Sequence, residues 1–206
     1  TLAAIHLKNQ DMDAALNTTN RGLKADNTNS MLYQLKADIS VQRDALESAT
    51  ELYLKSIENS EDPGPIMRKL LFVYIDMGDN EKAIDYSNEL LDKYPNDANL
   101  YYNVGVLYQR LAKDIQVRSK ENFNKLNEMD TPSEVLINQV YAEFREVRKY
   151  AHNAKDYFYE ASDLEQDENL DTKYAISEMK SAMNQMDDIF IPSIRKIAKT
   201  AGVVLD

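Results

Sequence analysis

Cysteine and tryptophan are absent from this chain, and glycine, proline and histidine are scarce. Without cysteine there are no disulfides, thiol nucleophiles or thiolate metal sites, although the compartment stays open. Five Gly and five Pro in 206 residues are too few for a turn-rich β protein and suit helices joined by short turns. No apolar run approaches the roughly 20 residues of a membrane-spanning helix. Positive charge is short as well: 24 Lys and Arg face 35 Asp and Glu, a net charge of −11. A phosphate backbone would be repelled over most of such a surface, so no nucleic-acid partner is expected.

What is present is periodic. Ala15, Ala49 and Ala83 are 34 residues apart, and Leu23, Ile57 and Leu91 keep the same spacing. So do Leu32, Ile66 and Leu100; Tyr33, Met67 and Tyr101; and Ile39, Val73 and Leu107. Within each unit apolar residues recur at intervals of three and four, as in a helix with one buried stripe. The best-formed unit, Gly64 to Asp97, has an apolar run that stops at Gly78, restarts after Asp79-Asn80 and ends at Tyr94-Pro95. A small residue early in each second helix lets two helix axes approach closely. One such helix pair cannot bury its own apolar face, so neighbours must stack on it.

A 34-residue helix-turn-helix period with Leu70, Leu71, Tyr74, Ala83, Leu90 and Pro95 at or near signature positions resembles the tetratricopeptide repeat. In the next unit Val104, Gly105 and Tyr108 match that family's Leu-Gly-Tyr triplet. The unit from Ser30 is weaker: Lys36 and Ser40 stand where apolar residues are expected, and its turn, Arg43-Asp44-Ala45-Leu46, lacks the usual Gly. The resemblance covers about 1–112 and 149–165. It implies an all-α fold, an α-α superhelix of antiparallel helix pairs over 1–206. The units are about 1–29 (partial), 30–63, 64–97 and an elongated 98–168, with 169–206 as capping helices. Leu2 and Ala3 sit in the Leu-Gly columns of a repeat whose head is missing, so more chain is expected upstream of Thr1.

After Tyr108 the period breaks. One further period after Ala83 would place the next small residue of a second helix at Val117, yet it comes only at Ala154. The stretch between them is an insertion. Stripes from Tyr101 to Leu126 and from Leu136 to Ala161 predict one long antiparallel hairpin turning near Glu128-Met129-Asp130 and projecting beyond the solenoid. Thr131-Pro132-Ser133-Glu134 reads as a helix start with Thr131 as N-cap. Asp163 to Asp171 is an acidic loop, and a closing helix pair turns at Asp187-Asp188 and stops at Gly202. Some bacterial members of the family are similar in having a lengthened final repeat.

No catalytic constellation is legible. His6 falls on an apolar column, and His152 has no second ligand at metal spacing. No serine sits in a nucleophile elbow, and no glycine-rich phosphate loop exists. Acidic pairs such as Glu61-Asp62 lie at turns, where capping explains them. No metal, cofactor or enzymatic activity is expected. The family's inner-face positions carry over to Gln34, Asp38 and Gln42; to Arg68, Phe72, Ile75 and Asp76; and to Asn99, Tyr102, Val106, Gln109 and Arg110. Among these, Gln34, Asp38, Arg68, Phe72, Asp76, Asn99, Tyr102, Gln109 and Arg110 form the expected groove for a partner peptide or helix, Arg and Tyr being anchors. Asp38 opposes the carboxylate clamp of chaperone-binding members.

The resemblance thus implies a non-enzymatic protein-interaction scaffold. Two alternatives stand beside it: solute or glycan binding at the Tyr-rich fourth unit, and self-association through the hairpin or the truncated N-terminal edge. The compartment is left open, with periplasm or cell envelope slightly preferred because a leader could precede Thr1.

Overall fold

Every described element of the computed structural model is helical; the described residues are 2–9, 11–165 and 171–205. The chain forms two compact units, Thr1–Tyr94 and Pro95–Asp206.

The first unit is a run of antiparallel helices, each packed on the next: α1 (Leu2–Lys8), α2 (Met12–Ala25), α3 (Ser30–Gln42), α4 (Leu46–Glu58), α5 (Gly64–Asp76) and α6 (Asn80–Lys93). Side-chain oxygens set three of the starts. Asp11, Asn29 and Asp79 accept hydrogen bonds from the backbone N–H of Ala14, Leu32 and Lys82, each satisfying a donor that the first turn leaves open. Ala15, Ala49 and Ala83 are fully buried, as close axis approach requires. The next buried column is Thr19, Tyr53 and Ser87. The Thr19 and Ser87 hydroxyls donate to Ala15 O and Ile84 O on their own helices, so neither is left unpaired. Between the α3–α4 pair and α5, the core is Ala37, Leu52, Tyr53, Ile66, Leu70 and Val73.

The turn that lacks glycine resolves simply. Gly78 sits at φ +71°, and Asp44, one period earlier, takes φ +57°. An aspartate thus does the left-handed work of the usual glycine, as short polar side chains are able to.

The second unit is built on α7 (Ala98–Glu128) and α8 (Glu134–Leu164), an antiparallel hairpin of 31 residues per helix. At 1.5 Å per residue each is about 46 Å long. The cap of α8 differs from the expectation: Ser133, not Thr131, is the N-cap, its Oγ accepting from Leu136 N at 3.1 Å. Pro132 therefore lies before the cap.

The closing segment also needs correction. No turn forms at Asp187-Asp188. Instead α9 (Thr172–Gln185) continues through a π-helical turn (Met186–Phe190) into α10 (Ile191–Ala201), and α9 and α10 both pack on α8. The reason is Pro192. In an unbroken α-helix its ring would press on the carbonyl four residues back, at Asp188. The N–H of Ile191 reaches instead to Met186 O, five residues back, and the widened turn absorbs the proline. Gly202 then stops the helix at φ +71°. Met186, Ile191, Ile194 and Ala198 cover Leu126, Ile137, Val140, Tyr141, Phe144 and Val147 of the hairpin. The outer stripe of the hairpin is thus sealed by the chain's own last helix. Residues 166–170 of the expected acidic loop lie outside the described residues.

Candidate functional site

Five of the expected groove residues lie in the first unit, on α3 and α5. Gln34 and Arg68 are half-buried, Asp76 is exposed, and Phe72 leaves 40% of its surface open. Asp38 is not an open acceptor. Tyr53 Oη donates to its Oδ1 at 2.5 Å, and Lys69 Nζ donates to both carboxylate oxygens at 2.8 Å. This ties α3, α4 and α5 together and cancels the charge that Asp38 would otherwise turn towards a ligand. Burial first, and then this hydrogen bond, push the Tyr53 phenol far above its usual range, so it stays a donor. The arrangement supplies no spare cationic donor for a terminal carboxylate at this point.

Met31 falls in the same register. It is 61% exposed at the second position of α3, the column that carries Asn99 on α7. The register that gave Gln34 and Asp38 also points to Met31, so the signal was present. Lys69 lies outside the inner-face columns, and only the packing of α5 on α4 reveals its role. Met31 and Phe72 are thus exposed apolar side chains at inner-face positions of α3 and α5, the same positions by register that hold Gln34, Arg68 and Asp76. Ile75, by contrast, is buried in the core.

The other four residues lie on α7 in the second unit. Tyr102 is half-buried, its ring 5.4 Å from Phe158. Gln109 Nε2 donates to Glu178 Oε2 of α9 at 2.7 Å, and Lys113 pairs with the other oxygen at 2.9 Å. The Glu178 carboxylate of α9 thus holds both Gln109 and Lys113 of α7. Asn99 and Arg110 are exposed.

The tyrosines of the fourth repeat pack on one another. Tyr108 stacks on Tyr157 at 5.4 Å, Tyr150 lies 5.9 Å from Tyr108, and Tyr101 lies 6.3 Å from Tyr157. They form a ladder between α7 and α8, not an open platform. His152 is exposed beside Asp156 at 3.3 Å. Among the described residues no group of three or more His, Asp or Glu is placed to hold a metal, and no helix is long and apolar enough to cross a membrane.

With this geometry established, known proteins give a context. No protein-family model matches the chain. The photosystem I assembly protein Ycf3 of Prochlorococcus marinus is 29% identical over 79 residues, 38% of this chain and 45% of the relative. Ycf3 of Synechococcus sp. (strain CC9605) is 31% identical over 70 residues, 34% of this chain and 40% of that one. The matches thus span less than half the length of these curated relatives. The solved structure of MamA superposes with a TM-score of 0.50 at 11% identity, over 98% of this chain and 97% of that one. YrrB, a TPR protein with an unusual peptide-binding site, superposes at 0.48 with 15% identity, over 94% and 88%.

The chain has the fold of tetratricopeptide-repeat proteins. Its repeats give α3 and α5 equivalent inner-face positions, because a 34-residue period returns each first helix in the same orientation.

Proposed function

We propose that the chain is a non-catalytic scaffold that grips an extended or helical segment of a partner protein on the α3–α5 face. The observation that carries this reading is the strip itself: Met31 and Phe72, both open to solvent, stand among Gln34, Arg68 and Asp76 on a framework braced by the Asp38–Lys69–Tyr53 contacts. Exposed apolar side chains beside polar and guanidinium groups are the composition of an interface centre. The resemblance to assembly proteins, named as such for photosystem I, supports a role in bringing proteins together.

The test uses peptides selected from a random library on the full chain. Met31→Ala with Phe72→Ala should weaken them roughly tenfold or more, the scale of an interface hot spot, with helicity unchanged. Selected peptides that bind the double variant as tightly as the parent would remove this face from consideration.

A further inference from the structure

The first unit carries a second feature that the α3–α5 strip does not use. A depression of about 540 Å³ lies among α2, α3 and α4, lined by Arg21, Lys24, Lys36 and Lys55 with Asn17, Asn20, Tyr33, Leu23 and Leu52. In a chain of net charge −11, four cations converge on one hollow and no carboxylate lines it. Among the described residues none of the four is ion-paired.

The repeat register shows how the hollow is built. Arg21 and Lys55 are one repeat apart, so successive second helices bring a cation to equivalent places. Lys36 is more telling. It occupies the column filled one repeat later by Leu70, which is fully buried. A lysine in a core column gives up apolar burial, and its half-buried side chain lines the hollow with the exposed Arg21, Lys24 and Lys55, where like charges repel unless an anion compensates. A solubility role does not account for it, because solubility is served by exposed positions. Beneath the cations the hollow is not polar. Leu52 is buried, Leu23 and Tyr33 are half-buried, and the Lys55 Nζ lies 6.0 Å from the Tyr33 ring centre.

We propose that this hollow binds an acidic segment of a partner protein, several Asp or Glu residues flanking one apolar side chain. The carboxylates would meet Arg21, Lys24, Lys36 and Lys55, and the apolar side chain would rest on Leu23, Tyr33 and Leu52. Arg21 offers the paired N–H geometry that a carboxylate accepts, and the lysines act as point charges. A nucleic acid fits less well, since its continuous phosphates would run on into the acidic surface around so small a patch. A membrane surface is disfavoured because the apolar contacts lie at the bottom of a depression, not on a raised face. The hollow is separate from the α3–α5 strip, so either site fails or stands without the other.

The experiment titrates a fluorescein-labelled peptide of alternating Glu and Asp around one Leu into the full chain, reading anisotropy. Binding should appear at low salt and weaken steeply as ionic strength rises. Lys36→Leu restores the apolar column and keeps the fold, and it should reduce affinity about tenfold or more while raising the thermal midpoint. Arg21→Glu with Lys55→Glu should abolish binding, and Phe72→Ala should leave it unchanged. Absence of peptide binding at low salt would overturn the proposal. So would equal affinity in the Lys36→Leu variant, or tighter binding of a single-stranded oligonucleotide or of anionic phospholipid vesicles than of the peptide.

Discussion

Two backbone positions carry tests that depend on single atoms. A Cβ built on Gly105 would lie 2.6 Å from Cε1 of Phe158, a ring that is itself fully buried and has no room to retreat. Gly105→Ala should therefore destabilise the second unit by about 1–3 kcal/mol, as overpacking does, visible as a lower denaturation midpoint. A neutral result would mean that α7 and α8 can separate there without loss. At Asp44 the sign reverses. Its φ of +57° costs roughly 1–2 kcal/mol for a side chain, against roughly 0.5–1 kcal/mol of extra chain entropy for glycine. Asp44→Gly should thus stabilise the first unit by about 0.5–1 kcal/mol in urea melts, and a loss of stability would show that Asp44 gains something from its side chain.

Among the elements, the hairpin and the last helix matter most. Ser133 Oγ closes the first turn of α8 at an exposed site, so Ser133→Ala should lower stability by about 0.5–2 kcal/mol. Ser133→Asp should restore it, whereas Thr131→Ala should have little effect because Thr131 is not the cap. Phe123, Phe144 and Phe190 form the joint where the π-helical turn meets the hairpin, with ring centres 4.6–5.8 Å apart. This joint explains why a proline-containing segment is held along the hairpin and does not fold back on α9. The cost of the widened turn is offset by seating Phe190 against Phe144 and Phe123.

Across the whole molecule the phenols give a pH limit. Burial raises the Tyr53, Tyr86, Tyr108 and Tyr157 hydroxyls above their ordinary value of about 10, and Tyr150 moves the same way. Above about pH 10 an unfolded chain releases these protons while the folded chain keeps them, so the native state binds more protons and stability falls as pH rises. Stability is intact below that point, and each deeply buried phenol such as Tyr53 removes about 1.4 kcal/mol per pH unit above it. Phenolate absorbance should therefore include a part that appears only as helicity is lost, from Tyr53, Tyr86, Tyr108, Tyr150 and Tyr157. If all thirteen ionise together near their ordinary value with the fold unchanged, the tyrosines are not packed as described. The two surfaces proposed for the first unit share its helices but differ in chemistry, one apolar and mixed, the other cationic.

Much of this was legible in the chain itself. A 34-residue spacing of small and apolar residues determines stacked helix pairs, because only that arrangement buries each stripe, and it placed Ala15, Ala49 and Ala83 in the core. It also predicted the hairpin and flagged Lys36 as a departure. The sequence could not show that Asp38 is already held by Tyr53 and Lys69, or that Gln109 is taken by Glu178. It could not show that Pro192 widens a helix without ending it. Each of these depends on a side chain or carbonyl brought near from another turn or another helix, and a one-dimensional period carries no information about such meetings. Tertiary packing decided which inner-face residues remain open, and it gathered Arg21, Lys24, Lys36 and Lys55 from three helices into one hollow.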